Sequence, residues 1–162
     1  MADELKKGLE GVLVAESELS SIDGDAGELV YRGYSIEDLA RGASFEEVVY
    51  LLWHGRLPTA DELEPFAQSM AEERHLDDAV RSLAVELAEA DEEPMAAMRT
   101  LASKLSAYDP DADADPTDYE ANLRKGRRLT AKLPTALGAF ARARDGDDPV
   151  APREDLGHAE NF

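Results

Sequence analysis

Three histidines are the residues whose chemistry would matter most near neutral pH: His54, His75 and His158. A side chain that titrates close to neutrality serves as a general base, a general acid or a metal ligand. The three lie far apart, and no pair has the spacing of a metal site on one helix. His54 closes the apolar run Leu51-Leu-Trp-His-Gly55. Its position at a helix C-terminus, where a cation suits the dipole, explains it without an orienting partner or a substrate pocket. His75 sits in a charged junction and His158 beside a glycine, so both read as structural or exposed. The chain has no cysteine, which removes disulfides, thiolate metal sites and a cysteine nucleophile.

Two charged segments are the other candidates. Asp109-Pro-Asp-Ala-Asp-Ala-Asp-Pro116 alternates acids as a calcium loop does. It lacks the central glycine and the closing glutamate, so it reads as a plain loop with no metal. Arg124, Lys125, Arg127, Arg128 and Lys132 form the one basic cluster. They could face an anionic substrate or an acidic partner, but pairing with nearby carboxylates is the favoured reading. There is no glycine-rich phosphate loop and no Gly-x-Ser-x-Gly elbow. No catalytic, cofactor-binding or metal residue is therefore assigned, and no cofactor is expected.

The elements around these residues are mainly helical. Val12–Ala15, Glu18–Ile22 and Glu28–Tyr31 read as short extended pieces, the last two joined by the turn sequence Asp23-Gly-Asp-Ala-Gly27. From Ser35 onward helix starts recur. Ser35-Ile-Glu-Asp38, Ser44-Phe-Glu-Glu47, Thr59-Ala-Asp-Glu62 and Thr117-Asp-Tyr-Glu120 each place an acid three residues after a hydroxyl, the spacing of a capping box. Gly42 and Gly55 stop the first two helices, and the third is expected to reach about Arg74. Asp78–Ala90 carries Val80, Leu83, Ala84 and Leu87 on one stripe, with Asp77 as a candidate cap. Pro94 suits a first helical turn. Residues 118–145 form the longest helical pattern, with a kink expected near Leu133 because Pro134 lies inside it. Another helix is expected to begin at Glu154. Tyr50 and Trp53 read as core anchors. The class is all-α, a helical domain with a small N-terminal β-hairpin-like appendage: residues 1–34 lead in, and 35–162 are helices.

Composition bounds the function. The 162 residues suffice for one domain, and 43% are apolar, too many for a disordered acidic tail. No apolar run approaches the roughly 18 residues of a membrane span, and the first residues do not resemble a signal peptide. A cytoplasmic location is expected, with no membrane partner. Asp and Glu number 36 against 17 Lys and Arg, a formal net charge of −19, and only five of the cations are lysine. Nucleic-acid binding is disfavoured, since phosphate contacts need a cationic face. Self-repulsion on this scale is relieved by salt, so solvent salt is the expected partner and a halophile the expected source.

The motifs together resemble the N-terminal part of the citrate synthase family. They are Gly8-Leu-Glu-Gly11, Ser21-Ile-Asp-Gly24, Tyr31-Arg-Gly-Tyr34 with Asp38-Leu-Ala40, Ala43-Ser-Phe-Glu-Glu-Val48, Tyr50-Leu-Leu-Trp-His-Gly55 with Leu57-Pro-Thr59, Pro94-Met-Ala-Ala-Met-Arg99 and Ala159-Glu-Asn-Phe162. The acidic bias makes the resemblance haloarchaeal. It implies a largely helical, homodimeric enzyme of the large-domain type that joins acetyl-CoA to oxaloacetate and hydrolyses the citryl thioester. In that family an aspartate removes an acetyl proton, two histidines polarise carbonyls and arginines hold the dicarboxylate. Those motifs belong to a part of the family chain that this sequence does not include, so no role passes to His54, His75 or His158. The expectation is an N-terminal fragment, inactive alone, that exposes apolar surface. The other readings are a helical binding or assembly module derived from the scaffold, and a 2-methylcitrate synthase fragment.

Overall fold

The structure is a computed structural model that describes residues 8, 12–13 and 15–162. Three short strands lead the described chain: β1 (Ser20–Asp23), β2 (Glu28–Tyr31) and β3 (Tyr34–Ser35). They form an antiparallel sheet in the order β1-β2-β3, with Ser21 opposite Val30 and Tyr31 opposite Tyr34. The appendage thus has one strand more than a hairpin. Two turn chemistries build it. The Asp23 carboxylate accepts from the backbone N–H groups of Asp25 and Ala26, at 3.0 and 2.9 Å. Arg32 and Gly33 both take positive φ, 47° and 89°, between β2 and β3, the geometry that matches the twist of a two-residue hairpin. The strand expected over Val12–Ala15 does not form at residues 12, 13 and 15, and Val14 lies outside the described residues. Residues 9–11, part of the first resembling motif, lie outside them too.

Seven helices follow among the described residues: α1 (Ile36–Gly42), α2 (Phe45–His54), α3 (Ala60–Glu72), α4 (Asp78–Glu89), α5 (Pro94–Ser106), α6 (Tyr119–Arg144) and α7 (His158–Asn161). The first caps behave as their sequences dictate. Ser35 Oγ accepts from the Asp38 N–H at 3.1 Å. Ser44 Oγ accepts from the Glu47 N–H at 3.2 Å, and Glu47 accepts in return from the Ser44 N–H at 2.7 Å. Gly55 closes α2 at φ 77°, a left-handed cap. At α3 the Glu62 carboxylate accepts from both the N–H and the hydroxyl of Thr59.

Helix α3, expected to reach about Arg74, ends at Glu72 with Glu73 as its C-cap. Two expectations need correction. The cap of α6 is Asp118, whose carboxylate accepts from the Ala121 N–H at 3.0 Å; Thr117 is instead tied to Asp115. Asp77 stands at the N-cap of α4 as expected, though its side chain makes no cap bond. The last helix begins at His158, not Glu154, since the carbonyls of Arg153 and Leu156 bond to Arg74 outside any helix. Helix α6 continues through Pro134 for 26 residues.

The main core lies where α4, α5 and α6 meet. Val80, Ala84 and Ala88 from α4, Ala97, Leu101 and Leu105 from α5, and Ala136, Ala139 and Phe140 from α6 form one buried cluster. Each trio repeats at helical spacing, and the many alanines let the three axes approach closely. A second aromatic cluster joins α2 to α3: the rings of Tyr50 and Trp53 meet Phe66 edge-on, with centroids 5.2 and 5.9 Å apart. Tyr50 is buried and Trp53 half-buried. Trp53 also reaches α6, where its ring lies 3.4 Å from the place a Cβ on Gly126 would take.

Candidate functional site

The charged segments named from sequence resolve into a structural ion network. Arg124 binds Asp111 in a two-point contact, with Nε and Nη2 at 3.0 and 2.7 Å from its oxygens. Arg128 does the same to Asp109, at 3.0 and 2.6 Å, and also reaches Asp111. The acidic loop is thereby clamped to the first turns of α6. Desolvation opposes ionisation of Asp109, but hydrogen bonds from Arg128 and the Asp111 N–H hold its carboxyl below the ordinary range. Arg127 pairs with Glu73 at 3.6 Å, and Lys132 donates to the His75 carbonyl. Of the alternating acids, Asp109 and Asp111 thus have cationic side chains for partners, and Asp115 accepts from Thr117. Among the described residues no group of three potential ligands is close enough to hold a metal.

The histidines part company. His54 is exposed and packs on Tyr50, with ring centroids 4.2 Å apart. His75 is exposed and its Nε2 lies 3.0 Å from Glu154. His158 is buried and forms a polar node with the buried Glu46 and Arg74, apart from the buried Arg128 of the ion network. Position dictates each part. Glu46 stands in the first turn of α2, where a carboxylate suits the dipole. Arg74 follows the end of α3, and His158 opens α7.

The geometry of the node is close. Glu46 Oε1 accepts the His158 backbone N–H at 2.7 Å. Arg74, 1% exposed, donates through Nη1 to the carbonyls of Arg153 and Leu156, at 2.7 and 2.8 Å. Its Nη2 stands 3.9 Å from Glu46 Oε1. The His158 ring stacks on Phe45 at 4.2 Å and 7°. Its Nδ1 is buried without a hydrogen-bond partner among the described residues. Burial, then the Arg74 charge, push the imidazole below its ordinary range, and Glu46 pulls weakly the other way. Burial likewise lowers the Arg74 guanidinium, against the pull of Glu46 and Glu154.

Beside the node runs an apolar groove of about 310 Å³. Phe45, Met98, Leu133, Pro134, Leu137 and Phe162 line it together with the edge of His158. Phe45 and Phe162 are 42% and 72% exposed. The expected exposed apolar surface is found here. What the node can do chemically is fasten the 153–158 segment to α2 and α3 and so shape this groove. Sequence reasoning missed Glu46 and Arg74. An acid in a first turn and an arginine in a charged junction carry no signal that distinguishes a buried pair from an exposed one.

The chain belongs to the citrate synthase family: residues 8–162 match the family described as "Citrate synthase, C-terminal domain". It is 64% identical over 163 aligned positions to the citrate synthase of Haloferax volcanii, covering all of this chain and 43% of that protein. A 2-methylcitrate synthase of Mycobacterium tuberculosis is 42% identical over 98% of this chain and 39% of its own length. The solved citrate synthase of Pyrobaculum aerophilum superposes with a TM-score of 0.87 at 40% identity, over 95% of this chain and 40% of that one. The chain thus spans about two fifths of the length of the relatives it matches. Among the described residues no helix is long and apolar enough to cross a membrane.

Proposed function

We propose that this chain is the N-terminal portion of a citrate synthase that condenses acetyl-CoA with oxaloacetate, and that it supplies scaffold rather than catalytic groups. The observation that carries the reading is identity of 64% to a citrate synthase along the whole chain, over 43% of that relative. The resembling motifs are those the family carries ahead of its catalytic histidines and aspartate. Alone, the 162 residues do not turn over. With the remainder of the family chain they form a homodimeric cytoplasmic enzyme adapted to high salt. Acetyl-CoA is the proposed acyl donor on the 64% identity to a citrate synthase, and the 42% identity to a 2-methylcitrate synthase keeps propionyl-CoA as the second reading.

The test is release of CoA thiol from acetyl-CoA or propionyl-CoA with oxaloacetate, run on the isolated chain and on the native product captured from its source cell. The isolated chain is expected to release none. The native product is expected to exceed twice 17.7 kDa and to prefer acetyl-CoA. Turnover by the isolated chain would overturn the scaffold reading. A native product of 17.7 kDa without activity would favour the binding or assembly module.

A further inference from the structure

The buried node has a property that the condensation does not use. We propose that Glu46, Arg74 and His158 make an acid-releasable latch, which holds α7 and the 153–157 turn against α2 and α3 while His158 is neutral and lets them go when it is protonated.

The charges around His158 decide this. Helix α2 presents Glu46, and the end of α3 presents Arg74, one carboxylate against one guanidinium. The groove side, from α5 and α6, presents Met98, Leu133, Pro134 and Leu137, all apolar. On α7 itself Glu160 is engaged by the Gly157 N–H at 3.3 Å. Of the turn's own charges, Arg153 pairs with Asp155, and Glu154 lies 3.0 Å from His75 Nε2 while its charge also acts on Arg74. Glu46 and Arg74 face each other within the node, so a proton on the imidazole adds a cation beside Arg74 with no further buried carboxylate to meet it. A second cation would share the buried Glu46 carboxylate with Arg74 in a site that opens only along the groove edge, and would lie against the face of Phe45.

Undocking solvates the imidazole and removes this opposition. The docked ring binds its proton less readily than the released ring, as burial and Arg74 require. Docking is therefore fully stable above the free imidazole's range and weakens as pH falls below it. Each further unit of pH multiplies the released fraction by about ten, until the docked ring also takes a proton. Release would bare Arg74 and remove His158, Ala159 and Phe162 from the groove wall. A buried pair is screened far less than a surface pair, so the effect persists in about 1 M salt.

Amide hydrogen exchange on the 162-residue chain, corrected to protection factors and followed from pH 7.5 to 5 in molar potassium chloride, tests this directly. Wild-type protection of the His158 N–H and of the 153–157 turn is expected to fall about tenfold per pH unit below neutral, while α4, α5 and α6 keep theirs. His158→Phe keeps a flat ring on Phe45 but cannot titrate, so its protection is expected to stay level. A flat wild type, or parallel loss in H158F, would overturn the latch. Should H158F never dock, the ring resonance of His158 in the wild type decides: its titration midpoint must coincide with the loss of protection, and separate midpoints would refute the proposal.

Discussion

Arg74 shows how much one buried side chain can organise. Its guanidinium closes two carbonyls of a turn some eighty residues away and stands by a buried carboxylate. Arginine fits because its planar fork serves several acceptors at once and stays charged when desolvated. Removing it would leave both carbonyls without their donor and Glu46 without its cation. Arg74→Ala is therefore expected to lower the unfolding free energy by about 3 kcal/mol, read from urea melts. A change within about 0.5 kcal/mol, the usual range for surface positions, would show that solvent replaces the guanidinium at no cost. The Asp109–Arg128 contact is different in kind. It ties a loop to the helix that follows it, and no chain segment distant in sequence depends on it.

At the scale of elements, α6 is the spine of the molecule. It packs on α4 and α5 through its second half, and its first half meets Trp53 of α2 at Gly126. Glycine inside a helix costs roughly 1 kcal/mol relative to alanine, so it needs a packing reason. The indole supplies one: the ring lies 3.4 Å from where a Cβ would stand, which leaves room for a methyl group and nothing larger. Gly126→Leu is expected to push the indole outward and to destabilise by about 1–3 kcal/mol despite the better helix propensity. Tryptophan fluorescence, from the single Trp of the chain, would shift to the red. An unshifted spectrum with raised stability would show that α2 and α6 have slack between them.

For the whole molecule, the balance of charge dominates. With a net charge of −19 over 162 residues, most carboxylates have no cation to meet. Exposed carboxylates repel one another over about 10 Å at 0.1 M salt and over about 3 Å at 1 M. Stability is therefore expected to rise with potassium chloride, and urea midpoints at about 0.1 M and 2 M salt should differ clearly. Equal midpoints would remove the case for adaptation to salt. The apolar groove acts in the same sense towards kosmotropic salts, which strengthen hydrophobic contact and so favour whatever seats against it.

Much of this architecture is legible in the residues themselves, for local reasons. A hydroxyl with an acid three places on satisfies orphan N–H groups within one turn, so Ser35 and Ser44 mark their helices unaided. Gly55 stops α2 because a left-handed residue is cheapest without a Cβ. The alternating Asp109–Asp115 run fails as a calcium loop on its own pattern, and the family motifs need no coordinates. Where local signals compete, the sequence alone misleads. Thr117 and Asp118 both could cap α6, and the prior claim of Asp115 on Thr117 settles it. The node lies beyond local reach altogether. Glu46 and His158 are 112 residues apart and Arg74 is far from both, so nothing near any of them in the chain marks it as buried. Their meeting depends on how α2, α3 and the turn before α7 pack. Burial, which turns an ordinary histidine into one that resists a proton, is a property of that packing and not of the residue.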